Sequence, residues 1–204
     1  RSAARFRTGL VTAQIALSMA LLVSAGLFIR SLVNVSRVNL GMDTSNVVTF
    51  GVSPELNGYD NERSKIFFES LEDELAALPG VTGVSASLVP VLAGSNWGTD
   101  VNVQGFERTP DTNANSNYSL IGPDYFSTLG VPLIAGREFT RADVTGSGRV
   151  AVVNEAFARK FGLGRDAVDK FMSLGGSDDE LNIQIVGLVQ DARYSEVKDT
   201  VPPV

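Results

Sequence analysis

Residues 8–29 contain no Asp, Glu, Lys or Arg, and the run is fenced by Arg1, Arg5 and Arg7 on one side and Arg30 on the other. As a helix it would be roughly 33 Å long, enough to cross a hydrocarbon core of about 30 Å. This is the signature of a membrane protein. Charge divides the chain at nearly the same place. All 23 acidic residues lie at Asp43 or beyond, whereas five of the 17 basic residues lie at or before Arg37, so residues 1–38 carry +5 and the remainder −11. The positive-inside bias puts the arginine cluster in the cytoplasm and the acidic body on the far side of the membrane. A signal peptide is the rival reading, with Val23-Ser24-Ala25 as its cleavage site. Its apolar region, however, is usually only about 7–15 residues long. The chain also opens with Arg rather than Met, so we expect a piece of a longer protein with an internal anchor.

The acidic body is long enough for one domain with a real core or two small lobes. It has no Cys, which excludes disulfide-stapled modules but not a bacterial periplasm. It also has no His, so a Cys/His zinc site, a Ser-His-Asp triad and a histidine general base are impossible within this chain. Its negative charge argues against nucleic acid, whose phosphates need clustered Lys and Arg. These exclusions leave little room for an enzyme.

Within the apolar run, Gly9, Ala13, Ala16, Ala20 and Ser24 recur at helical spacing on one face, while Leu10, Leu17, Leu21 and Phe28 gather on an adjoining one. Small residues let helix backbones approach closely, so the first face is expected to pack on another helix and the second to meet lipid. Gln14 and Ser18 form a second polar strip, and an amide in hydrocarbon needs a partner. Leu32, Val35 and Val38 continue an apolar stripe beyond the membrane, predicting a stalk that ends at Asn39-Leu40-Gly41 with Gly41 as the cap.

Beyond the stalk the patterns predict a strand over 47–52, a helix from Asn61 to about Leu78 and a strand over 81–88, together one βαβ unit. Ile66, Phe67, Leu71, Leu75 and Leu78 would form the helix's buried face, leaving Glu62, Lys65, Glu69, Glu72, Asp73 and Glu74 wet. Residues 90–117 read as loop-rich, with a short strand at 101–104. Further strands are expected near 118–121, Leu133, 150–154 and 182–190, and helices at 124–129 and 155–161. Many short strands mixed with helices predict an α+β fold rather than a doubly wound sheet.

No catalytic constellation emerges. Asp178-Asp179-Glu180 after Gly175-Gly176 lacks the ligand spacing of a calcium loop and reads as a solvated turn. Asn154 and Glu155 stand where a strand meets a helix, and read as a cap and a dipole partner. Asp191 reads as a turn former. Gly146-Ser147-Gly148 and Gly162-Leu163-Gly164 are too short for a phosphate loop and lack its Lys-Ser/Thr.

What remains is an ordered series of short strings. Arg7-Thr8-Gly9-Leu10-Val11, Gln14-Ile15-Ala16-Leu17-Ser18 and Ala25-Gly26-Leu27 are followed by Leu40-Gly41-Met42-Asp43, Leu78-Pro79-Gly80-Val81 and Tyr125-Phe126-Ser127-Thr128-Leu129-Gly130. Gly136-Arg137-Glu138-Phe139, Val152-Val153-Asn154-Glu155-Ala156-Phe157-Ala158 and Ile185-Val186-Gly187-Leu188-Val189-Gln190-Asp191 complete the series. In this order they resemble the MacB/FtsX-like ABC transporter permeases, most closely the duplicated orphan permeases of acidobacteria.

The resemblance implies a cytoplasmic flank, transmembrane helix and stalk over residues 1–40. A MacB-like periplasmic core domain would follow over 41–204, with a βαβ porter-like lobe and an inserted second α/β lobe. It implies that three more membrane helices follow and that Val201-Pro202-Pro203-Val204 approaches the domain's closing strand. It also implies a permease subunit of an export or mechanotransmission system in the bacterial inner membrane. Its expected partners are membrane lipid, the permease's other helices, a cytoplasmic ATPase subunit and a second copy in a dimer; no cofactor, metal or nucleic acid is expected. The alternative is an extracytoplasmic sensor domain of a membrane receptor, for which a single further span would follow.

Overall fold

The structure is a computed structural model that describes residues 2–36, 38–92, 94, 97–109, 111–146, 148–175, 180–194 and 200–204. The chain falls into two units, Arg1–Asn39 and Leu40–Val204.

The first unit is one helix, α1 (Ser2–Ser36), of 35 residues without a proline. Its segment Arg5–Ser36 has the length and composition to cross a membrane. Its large apolar side chains face outward: Leu10, Leu17, Leu21 and Phe28 are all more than half exposed. Two hydroxyls within it are satisfied by the helix itself. Thr12 Oγ1 donates to the Thr8 carbonyl (3.0 Å) and Ser24 Oγ to the Ala20 carbonyl (2.8 Å), which makes both tolerable in hydrocarbon. Ser36, whose Oγ donates to the Val33 carbonyl (2.9 Å), is the last described helical residue, and Val38, to which the stalk was predicted to reach, lies outside the helix.

Gly41 therefore does not cap α1. Its φ of +72° is left-handed, as a cap would be, but its environment gives the reason: a Cβ there would collide with the Asp191 carbonyl oxygen. The Leu40 carbonyl accepts from Arg193 N (2.8 Å) and Asp43 N donates to the Leu129 carbonyl (2.8 Å), so residues 40–43 are already woven into the second unit.

That unit is organised by β6 (Ile183–Val189), in which every residue but Gln184 is buried. Such a continuous apolar run suits a strand flanked on both edges and covered on both faces. On one edge β4 (Arg149–Asn154) runs parallel to it along its whole length. The other edge is shared: β5 (Phe171–Leu174) pairs with its start and β3 (Leu133–Gly136) with its end, both antiparallel. Beyond β5 the sheet continues through β1 (Trp97–Val103) to β2 (Asn115–Tyr118). Helix α5 (Glu155–Lys160) leaves β4 directly and lays Phe157 and, just past its end, Phe161 on the core with Val101, Val153, Ile185 and Leu188. A second cluster forms around α3 (Tyr125–Thr128), where Tyr125, Phe126, Leu129 and Val131 meet Val189 and Ala192.

The mixed fold is as the patterning predicts, but the lobe expected first is not built as a laddered βαβ unit. Its helix, α2 (Asn61–Ala76), is present, capped by Asp60 rather than Asn61, with the Asp60 carboxylate accepting from Arg63 N (2.8 Å). Residues 47–52 and 81–86 are not in strands; of the predicted 81–88 strand only Ser87 forms a bridge, to Ile121. Alternation makes a segment able to pair, but here the pairing stays short: Leu88 N donates to the Leu120 carbonyl (2.9 Å) and Gly122 N to the Ala86 carbonyl (2.8 Å) around that bridge, while residues 81–85 and 47–52 join no ladder among the described residues. Val48 and Phe50 are accordingly exposed.

The buried face of α2 is also turned from its predicted position. Ser64 is buried and Phe67, Phe68, Leu71 and Leu75 are half-buried, whereas Ile66 and Leu78 are exposed. Glu72, expected to be wet, is half-buried, and desolvation raises its pKa against the opposing pull of Arg141. The strand predicted at 118–121 lies three residues earlier, as β2, because antiparallel pairing with β1 sets Tyr118 opposite Trp97. Three elements had no forerunner in the patterning: the 3₁₀ turn Pro54–Asn57, β5 and α4 (Arg141–Thr145).

Candidate functional site

The helix-packing residues come first because the sequence singles them out. At 3.6 residues per turn Gly9, Ala13, Ala16, Ala20 and Ser24 fall within an arc of about 80°, and all five are exposed on α1. Nothing lies within 4 Å of a Cβ placed on Gly9. The face is therefore low and open along about four turns.

The strand–helix junction gathers several of the chemistry-bearing side chains that the sequence singles out. Asn154 is 1% exposed. Its Oδ1 accepts from Phe157 N (2.9 Å) and Val204 N (3.0 Å), and its Nδ2 donates to the Pro202 carbonyl (2.8 Å). Asp191, which leaves the end of β6, accepts from Ala156 N (2.7 Å) on one oxygen and from Arg159 (2.6 Å) on the other, while its own N donates to Glu155 (3.3 Å). Asn154, Glu155 and Asp191 thus do meet. They meet as a cap on α5, with one oxygen of the Asp191 carboxylate on the free amide of Ala156 and the other on Arg159.

The remaining strings of the series come together in the same way. Gly136 and Gly187 face each other between β3 and β6, and a Cβ on Gly136 would strike the Val186 carbonyl while one on Gly187 would strike that of Arg137. Glu138 Oε2 accepts from Phe126 N (3.1 Å) and Ser127 N (3.3 Å), capping α3. Gly130, at φ +64°, turns the chain beside Asp43. Arg137 grips Asp143 with both nitrogens (2.6 and 2.8 Å), and Thr140 and Asp143 form a capping box at the start of α4. The Arg137 guanidinium, aided by the Thr140 donors, holds the Asp143 carboxyl well below the usual carboxylate range. Sequence reading missed this cluster, although Thr140 followed three residues later by Asp143 is a recognisable capping pattern.

A cavity of about 520 Å³ lies against the inner side of β1, β2 and β4 and reaches α3, with Trp97, Val150 and Val152 among its walls. The Tyr194 hydroxyl on its wall is buried without a hydrogen-bond partner among the described residues, and burial pushes its pKa up. Among the described residues no three of His, Cys, Asp and Glu are grouped to hold a metal. Asp178 and Asp179 of the considered calcium loop, and Ser147 of the first glycine pair, lie outside the described residues.

A family model, the MacB-like periplasmic core domain, matches residues 8–200. The chain belongs to that family. This MacB-like chain is similar in fold to the periplasmic region of MacB from Actinobacillus actinomycetemcomitans, at 17% identity and a TM-score of 0.44 over 66% of this chain and 60% of that one. It is also similar to the extracellular domain of the ABC-type transporter YknZ from Gram-positive bacteria, at 17% identity and a TM-score of 0.42 over 66% of this chain and 58% of that one. The chain thus spans less than two thirds of the length of either structure. Comparison with curated proteins gives no match. The match to the MacB-like periplasmic core domain takes in both the candidate membrane helix near the N-terminus and the sheet domain.

Proposed function

We propose that the chain is part of a permease subunit that couples ATP hydrolysis by a cytoplasmic partner to movement of its periplasmic domain, in an export or mechanotransmission system of the inner membrane. One observation carries this reading: the family match begins at residue 8, inside α1, and runs to residue 200, so the membrane helix and the domain belong to a single inherited unit. In this reading no residue does covalent chemistry, which agrees with Asn154, Glu155 and Asp191 being committed to capping. Gly9, Ala13, Ala16, Ala20 and Ser24 would seat α1 against the permease's other helices, Leu17 and Leu21 would face lipid, and a second copy would complete a dimer. Residues 41–204 would be the MacB-like domain, continued by further chain.

The test is an insertion of Gly-Gly-Ser after Val33, within the last turn of α1, in the full-length permease with its ATPase. Each glycine in a helix costs roughly 1 kcal/mol relative to alanine and removes stiffness. The domain should stay folded, because its core lies beyond Leu40. Transport should fall while ATP hydrolysis continues. A folded insertion variant that transports normally rejects the coupling role.

A further inference from the structure

The cavity beside β4 is the one feature of the domain that neither capping nor packing explains. At about 520 Å³ it falls within the roughly 300–1,000 Å³ of small-molecule sites. Its walls are mainly aliphatic and aromatic. Of the buried polar side chains on them, Ser116 and Asn154 are already bonded to the Pro202–Pro203 stretch, which leaves the Tyr194 hydroxyl, without a partner among the described residues, as a lone polar group in a mainly apolar wall.

Charge at the wall is one-sided. Two charged side chains are among the lining residues, Asp143 and Arg149. Asp143 is neutralised by the paired nitrogens of Arg137. Arg149 is exposed, stands at the start of β4 and makes no ion pair among the described residues. The opening of the cavity therefore presents a cation in a domain that is otherwise acidic. From Arg149 to Asn154 the strand runs about 16 Å, the extended length of an alkyl chain of about twelve carbons at ordinary bond lengths.

We infer that the domain binds an anionic single-chain amphiphile, its tail lying along β4 inside the cavity and its head at Arg149. The inference does not depend on the coupling role proposed above. A neutral chain of the same length would fill the same volume without the head contact, and a cationic one would meet Arg149 with like charge.

Trp97 is the single tryptophan of the chain and lines the cavity, so it reports directly on an occupant. The experiment titrates bromine-labelled dodecanoate, and separately bromine-labelled dodecanol, into the full chain in lipid nanodiscs and follows quenching of Trp97. Both should quench saturably, with dodecanoate binding roughly three- to fivefold more tightly, the scale of one exposed ion pair. Arg149→Gln should remove that preference while leaving the tail contact. Val150→Phe, which fills the cavity, should abolish saturable quenching in a protein that still unfolds cooperatively. Quenching that only tracks bilayer loading overturns the inference, as does equal affinity for the acid and the alcohol. An absence of quenching, as when polypeptide already occupies the cavity, overturns it as well. Because Arg149 is a surface residue, its variant decides the matter even if Val150→Phe does not fold.

Discussion

Glycine means opposite things in the two units of this chain. In α1, Gly9 and Gly26 have nothing within 4 Å of where a Cβ would stand. In the sheet domain, Gly41, Gly136 and Gly187 stand where a Cβ would collide with a backbone oxygen. The helix uses the absence of a side chain to leave its surface low, the domain to let two backbones touch. The same contrast governs polar groups. Thr12 and Ser24 close their hydrogen bonds four residues away on the same helix, whereas Asn154, Asp191 and Glu138 close theirs on other elements. A membrane helix has to be self-sufficient, because hydrocarbon offers nothing; a domain in water can spread its polar satisfaction over distant segments.

The largest effect that would break this contrast is expected at β3 and β6. Gly187→Val forces the strand pair apart at the Arg137 carbonyl and should cost the domain about 3–5 kcal/mol or prevent folding. Gly9→Val should leave the domain's urea midpoint, followed by Trp97 fluorescence, unchanged. Equal midpoints for the two variants would show that the close approach at Gly187 carries no strain.

A smaller effect is expected at the Arg137–Asp143 cluster. Asp143→Asn removes the charge-assisted pair and weakens the capping box, for a loss of about 1–2 kcal/mol. The sign of the pH dependence follows from the depressed carboxyl. The unfolded chain takes up the proton first, so the stabilisation is complete above the ordinary carboxylate pKa of about 4 and fades as pH falls toward the folded value. Stability curves of the parent and of Asp143→Asn should therefore converge as the solution is acidified. Curves that stay parallel down to pH 2 would refute the assignment.

The smallest effect on the domain, and the sharpest on assembly, is expected on α1. Ala16→Leu or Ala20→Leu should reduce cross-linking between α1 and the permease's other helices, whereas Leu17→Ala or Leu21→Ala should not, and none should shift the domain's midpoint. Equal loss from both faces would make α1 a solitary anchor.

The legibility of the sequence follows the same division. A charge-free run is a local property, so α1 was readable from composition, and β6 from an apolar stretch unbroken except at Gln184. The α5 cap was readable because Asn154 directly precedes its helix. What escaped depends on distant partners. The stalk is shorter than its apolar stripe because Leu40 and Gly41 are claimed by Arg193 and Asp191, about 150 residues further along the chain. Of the two strands predicted around α2, the first joins no ladder among the described residues and the second pairs only around Ser87, and β2 took its register from β1 rather than from its own polar residues Asn115, Ser116 and Asn117. The cavity had no forerunner at all, since its walls come from β1, β2, β4 and α3 and no single stretch contains enough of them to form a pattern.

The short stretch Pro202–Val204 carries a consequence for how the domain is made. Its carbonyls accept from Asn117 N on β2 (2.9 Å) and Asn154 N on β4 (3.1 Å), and Ser116 reaches it across 87 positions of sequence. A polypeptide threaded across a membrane from its N-terminus delivers β1 and β2 long before this stretch. Until it arrives the two strand edges stand unbridged, and closing so wide a loop is slow. If the domain lies across the membrane as proposed, it passes there through an open, adhesive stage, and a holdase that shields strand edges would raise the yield of folded protein more than one that shields α1.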